Sequence, residues 1–168
     1  MPRASHKSRI ALNIDIIVES DLWKGIDDAR SIVRRAIKKA AALLSTPSAE
    51  LAIVLSDDSA IRMLNRVWRG VDAATNVLSF PTSHARGDPA LIGDIILAHE
   101  TVAAEARKKH KPFAHHIAHL AIHGYLHLLG YDHVRNQDAE TMERIEREVL
   151  RRLAIPDRCR RSRPTGSV

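Results

Sequence analysis

Leu12, Ile14, Ile16 and Val18 alternate with neighbours that include Asn13 and Asp15, and this period of two predicts a strand over residues 10–18 with one face turned to a core. From residue 21 the period lengthens. Apolar residues at 22, 26, 29, 33, 36, 40 and 43 fall on one side of a helix over 21–45, which Thr46-Pro47 ends because the residue before a proline is pushed out of helical geometry. Residues 51–55 read as a second strand. Ser56 is placed to cap a following helix whose apolar stripe is Ala60, Met63, Leu64 and Val67, and which delivers Arg69 and Gly70 at its end. Residues 76–80 and 91–98 are β-rich runs separated by Pro81, Gly87 and Pro89, hence strand, loop and strand. Three helices follow, over 99–109, 112–129 and 137–153, the last with Ala139, Met142, Ile145, Val149 and Leu153 as its buried stripe.

The order β-α-β-α-β-β-α-α-α, with helices gathered late around a small sheet, indicates an α+β fold. A chain of 168 residues that is 45% hydrophobic suits one domain with a real core, and residues 9–155 are assigned to it. Residues 1–8 and 156–168 are expected to form a disordered basic arm and a disordered basic tail.

One stretch changes the picture from fold to chemistry. His123 and His127 stand four residues apart, so on a helix their rings point the same way one turn from each other. Gly130 can take the left-handed conformation that ends a helix, which turns the chain and brings His133 back toward the same point. Three imidazoles suit a zinc ion, and three protein ligands leave one tetrahedral position for water, as in catalytic rather than structural sites. The alternative is a set of ordinary helix-surface or core histidines. The same spacing occurs in metzincin proteases, but those carry a Glu directly after the first His as general base, and Gly124 stands there.

His-Gly-x-Leu-His-Leu-x-Gly-Tyr-Asp-His, read from His123 to His133, resembles the signature of the YbeY-type bacterial endoribonucleases, the rRNA maturation factors. Two further blocks agree in order: Leu64 to Asp72 followed by Thr75-Asn76-Val77-Leu78-Ser79-Phe80-Pro81, and Leu91-Ile92-Gly93-Asp94-Ile95. The resemblance runs over about residues 10–155. Ala73-Ala74 stand where such proteins often have Lys-Pro, Trp68 where Tyr is common, and the loop after Pro81 is short. The resemblance implies a zincin-like mixed sheet of four strands packed with about five helices, and one Zn2+ per chain on His123, His127 and His133. It implies a single-strand-specific endoribonuclease acting in 16S rRNA 3′-end maturation and late-stage 70S ribosome quality control. Arg69 aligns with the family's functionally important Arg, and Arg69 and His123 are the expected catalytic residues. Ribosomal proteins of the small subunit and an assembly GTPase are the implied partners beside single-stranded rRNA.

The residues themselves add limits. Arg69 can pair bidentately with a scissile phosphate, or it is a helix-terminal cation or the partner of Asp72. Asp132 can receive a hydrogen bond from a ligand His or shape the turn after Gly130, and His119, one turn before His123, is a fourth-ligand or proton-relay position or a packing His. A formal net charge of +6 favours a polyanionic partner. Arg30, Arg34, Arg35, Lys38 and Lys39 share one helix, residues 107–111 read Arg-Lys-Lys-His-Lys, and residues 158–163 hold four arginines; each is a phosphate-contacting surface or a solvated charge run. Aromatics at 4% argue against an extended stacking platform. No run approaches the ~20 apolar residues of a membrane span and residues 1–9 lack a signal segment, so a cytoplasmic location is expected. Cys159 alone permits no internal disulfide. A non-catalytic ribosome assembly factor with structural zinc is the rival reading, and its fourth ligand would be Asp132, His119 or Cys159.

Overall fold

The computed structural model describes residues 12–26, 28–82 and 91–156. The expected N-terminal arm, the tail beyond Pro156 with Cys159, and residues 83–90 lie outside the described residues. Strand β1 (Leu12–Val18) pairs in parallel with β2 (Ala49–Ser56), β2 pairs in parallel with β4 (Leu91–Ala98), and β3 (Val77–Pro81) runs antiparallel to β4 at the sheet edge. The sheet is therefore mixed and four-stranded, in the order β1-β2-β4-β3. Helices α1 (Ala29–Leu44), α2 (Asp58–Arg69), α3 (His99–Lys108), α4 (Phe113–Leu128) and α5 (Asn136–Arg152) complete an α+β fold.

Alternation does the work on the sheet. Ile14, Ile16, Leu51, Ile53, Leu55, Ile95 and Leu97 project to one side and are buried against Val33, Ala36, Ile37 and Ala40 of α1 and Ile117, Ala121, Ile122 and Tyr125 of α4. The hydrophobic transfer of these side chains from water is the main force holding the layers together. The opposite side carries a smaller cluster of Ile61, Leu78, Ile96 and Ala98 under α2.

Three local expectations are corrected. The helix expected over 21–45 is split into a short 3-10 helix, Asp21–Gly25, and α1, with Asp28 between them in the left-handed region at φ 71°. The reason is Trp23, whose ring is 3% exposed and whose Nε1 donates to the Ser56 carbonyl at 2.7 Å, a position that a continuous helix does not give it. Ser56 does not cap α2. Asp57 does, accepting from the Ala60 amide at 2.9 Å, while Ser56 Oγ donates to Glu19. The α2 stripe is also rotated: Ile61 and Asn65 are buried, whereas Met63 and Val67 are 64% and 70% exposed. Asn65 goes inward because its amide donates to the Ala73 carbonyl at 2.8 Å and so fastens the segment after the helix.

Candidate metal centre

α4 supplies His123 and His127, and the way it ends supplies His133. Gly130 sits at φ +90°, its amide donates to the His127 carbonyl at 3.0 Å, and the Tyr131 amide donates to the Leu126 carbonyl at 3.0 Å. That pair of bonds is a Schellman closure, which a glycine adopts without the Cβ strain of other residues. Asp132 Oδ1 then accepts from the Val134 amide at 2.9 Å and closes the turn that carries His133. Of the two roles open to Asp132, the structure shows the turn.

The three imidazoles converge: one ring nitrogen from each lies within 4.8 Å of the others, and the Nε2 atoms of His123 and His127 are 3.1 Å apart. Their other nitrogens are held. His123 Nδ1 donates to Glu146 Oε1 at 2.6 Å, and His127 Nδ1 donates to the Tyr131 carbonyl at 3.0 Å. Each bond fixes the tautomer that leaves an Nε2 lone pair facing the cluster. Burial pushes the His127 imidazole below its ordinary pKa, and the neighbouring His123 and His133 push it the same way, so its neutral, ligating form is favoured. Neutral imidazoles in an otherwise carboxylate-free donor set fit a borderline first-row ion, and the three residues can hold a metal.

Glu146, on α5, is the functional residue that the hydrophobic pattern passed over. It is 8% exposed, and its second oxygen takes a 3.0 Å hydrogen bond from His119 Nε2. Burial alone would raise its pKa, but the hydrogen bonds from His119 and His123 outweigh that and bring it down to about 2. It is therefore an ionised acceptor for two rings. The signal was present in the sequence: Glu146 stands four residues after Met142 and three before Val149, inside the buried stripe. His119 is thus a partner of Glu146 and stands outside the three-nitrogen cluster.

Arg69 ends α2, and Gly70, at φ +70°, turns the chain behind it. Asp72 is not its partner. That carboxylate is taken by Arg62 in two hydrogen bonds of 2.8 and 3.1 Å, because Arg62 faces the turn after α2. Arg69 Nη2 instead donates to the Ser79 carbonyl at 3.4 Å, while Ser79 Oγ donates to the Gly124 carbonyl at 3.0 Å. Edge strand β3 therefore ties the guanidinium to the residue next to His123. Arg69, Asn76, Ser79, Tyr131 and the three histidines line one cleft of about 470 Å³.

A family model described as endoribonuclease YbeY matches residues 18–154 of this chain. A Rhodopseudomonas palustris protein named endoribonuclease YbeY is 47% identical over 150 residues, covering 85% of this chain and 89% of the relative. A Nitrobacter hamburgensis protein of the same name is 47% identical over 151 residues, covering 85% of this chain and 80% of its own length. The solution structure of a Thermotoga maritima protein is also similar, with a TM-score of 0.53 at 25% identity over 84% of this chain and 91% of that one. The match spans strands β2, β3 and β4 and all the residues that line the cleft, and the chain belongs to the endoribonuclease YbeY family.

Proposed function

We propose that this protein is a Zn2+-dependent endoribonuclease that cuts single-stranded RNA, with one ion held by His123, His127 and His133. The observation that supports it best is the convergence of three imidazoles in an open cleft that also holds Arg69. When bound, the ion supplies Lewis acidity for a phosphoryl oxygen and lowers the pKa of water at the site.

The rest is the work of this chain's own groups. Glu146 keeps His123 turned with Nε2 toward the cleft, and the Tyr131 carbonyl does the same for His127. Arg69, braced on Ser79, offers its guanidinium to a phosphate that enters beside the histidines and opposes the negative charge that grows as the P–O bond breaks. Among the described residues no carboxylate belongs to the nitrogen cluster, and water at the site, the substrate phosphate or a ribose 2′-OH can take the proton and nucleophile roles. The names of the relatives support an RNA substrate. A role in 16S rRNA 3′-end maturation and 70S quality control, a cytoplasmic location, and ribosomal proteins and an assembly GTPase as partners rest on the family resemblance. Among the described residues, no helix is long and apolar enough to cross a membrane.

The test compares metal-loaded wild type, His127→Ala and Arg69→Glu on single-stranded and duplex rRNA fragments. Cleavage of the single strand by wild type only, with folding and RNA binding retained in His127→Ala, is expected. Wild type that binds RNA without cutting it, or variants that cut equally well, would overturn the enzyme reading.

A further inference from the structure

α1 breaks the charge pattern of the other cation-bearing helices described. It contains Arg30, Arg34, Arg35, Lys38 and Lys39 and no carboxylate, and all five cations are exposed. α5 shows how this chain builds an ordinary solvated face: Glu148 lies 2.8 Å from both Arg151 and Arg152, and Arg135 is 3.9 Å from Asp138. On α2, Arg62 is taken by Asp72. Among the described residues no ion pair involves any of the five α1 cations; Arg34 alone is held, by a 3.4 Å hydrogen bond to the Ile14 carbonyl.

This arrangement works against the helix itself. Arg30 with Arg34, Arg34 with Lys38, and Arg35 with Lys39 are like charges one turn apart, which repel. Arg30 also lies in the first turn, where the dipole disfavours cations, and the one acid described at that end is Asp28, at the N-cap before it. Asp28, at the N-cap, makes no capping hydrogen bond through its side chain. A helix that carries five like charges against one N-cap acid points to a partner outside the chain.

We propose that the exposed face of α1 is a docking surface for the sugar–phosphate backbone of helical RNA, separate from the metal cleft. The five charges cover about half the helix circumference, and Arg30 and Lys38 are about 12 Å apart along the axis, a rigid cationic strip of the size of several phosphates. α1 has no aromatic residue, so it offers no stacking platform to an unpaired strand, whereas duplex RNA is read through phosphates and shape. The other exposed residues of the helix are Ser31 and Ala42, without the large apolar side chains that a helix lying on a bilayer inserts. α1 forms no part of the cleft wall around Arg69 and the histidines. The choice of RNA as the polyanion rests on the ribonuclease reading; the cationic face does not.

The test uses Arg30→Gln/Arg35→Gln/Lys38→Gln/Lys39→Gln in the full chain, with Arg34 kept for its bond to β1. Binding to a 16-base-pair RNA duplex is followed by anisotropy across a salt series, and metal-dependent cleavage is followed on a short single-stranded oligomer. Each lost phosphate contact flattens the plot of log affinity against log salt by about 0.9 on a duplex, so with two or three of the four cations on phosphates a slope shallower by about 2 to 3 is expected, with at least a tenfold weaker complex at low salt. Cleavage of the oligomer should equal that of wild type, and the charge-conserving Arg30→Lys/Arg35→Lys should bind as wild type does. Should the fourfold variant fold poorly, Arg35→Gln/Lys39→Gln carries the same test with about half the change in slope. An unchanged duplex affinity and slope would overturn the proposal, as would wild-type binding to phosphatidylserine vesicles with none to the duplex. If wild type cuts nothing but the slope still falls in the variant, the ribonuclease reading fails and the docking surface stands.

Discussion

Glu146 Oε1 lies 2.6 Å from His123 Nδ1, so a carboxylate on α5 aims a histidine of the three-nitrogen cluster that α4 carries. The same carboxylate holds His119 at 3.0 Å, which makes it a bracket between two rings one turn apart. Removing it in Glu146→Ala leaves two ring N–H groups without their acceptor and frees His123 to rotate. Metal affinity should fall about 10- to 100-fold, measured by competition with a chromogenic chelator. Glu146→Gln keeps one acceptor oxygen and should lose less. Equal affinity in wild type and Glu146→Ala would remove the bracket from the account.

How much of this was legible beforehand depends on what kind of signal each residue carries. Alternation of Leu12, Ile14 and Ile16 with Asn13 and Asp15 picks out the buried face, and the strand is there, with Ile17 left on the exposed side. In α2 the pattern misleads, because Met63 and Val67 are apolar without being buried while Asn65 is polar and buried through its bond to Ala73. Glu146 fails in the same way: an acid inside an apolar stripe is scored as a surface residue unless something across the gap needs an acceptor. Spacing foretold that His123 and His127 share a face, since helix pitch alone decides it. It could not foretell which nitrogen faces the cleft, because α5 and the Tyr131 carbonyl decide that.

Arg69 is positioned by contacts that do not involve the histidines, so its removal should separate catalysis from metal binding. Arg69→Gln is expected to lower the rate of RNA cleavage about 10²- to 10³-fold, as loss of a donor to developing negative charge does, with metal content unchanged. Arg69→Lys restores charge without the two-pronged geometry and should recover part of the rate. Single-turnover cleavage alongside metal analysis checks both. Loss of metal in Arg69→Gln would show that the residue supports the cluster instead.

His116, 1% exposed, gives the fold a pH dependence of its own. Its Nε2 donates to Glu105 Oε2 at 2.7 Å, while its buried Nδ1 has no hydrogen-bond partner. A second proton would sit on that unpartnered atom. Burial therefore pushes the imidazole below its ordinary 6.5, further than Glu105 draws it up. Burial alone would raise Glu105, but hydrogen bonds from His116 and Asn76 take it below its ordinary 4.5. Both folded values lie under the unfolded ones, so the unfolded chain binds more protons in each window and stability rises with pH there. The contribution of His116 is complete above 6.5 and is lost as pH falls through its depressed value; that of Glu105 follows below 4.5. Urea melts of chelator-treated protein from pH 7.5 to 5 should show a smaller loss for His116→Gln than for wild type. Identical slopes would remove His116 as the source.

Gly124 occupies the position where a metzincin protease carries its catalytic Glu, and packing explains why this chain cannot. A Cβ there would lie 2.9 Å from Ile95 Cγ2 and 3.1 Å from Ser79 Oγ, so this side of α4 rests directly on β3 and β4. The close approach also lets Ser79 Oγ reach the Gly124 carbonyl at 3.0 Å, the bond that links the Arg69 brace to the ligand helix. Gly124→Ala should cost about 1 to 3 kcal/mol through overpacking, less the small gain in helix propensity. That corresponds to a melting temperature lower by several degrees for a chain of this size. It should also slow RNA cleavage, because the helix moves off the strand whose Ser79 braces Arg69. Gly124→Glu would have to place a carboxylate against Ile95, facing the sheet and turned from the cleft, and should unfold the protein with no peptidase activity gained. Melting curves of Gly124→Ala with a peptide and an RNA substrate side by side decide the matter. A well-folded Gly124→Glu that cleaves peptide would mean that this face of α4 opens onto the histidine cluster after all.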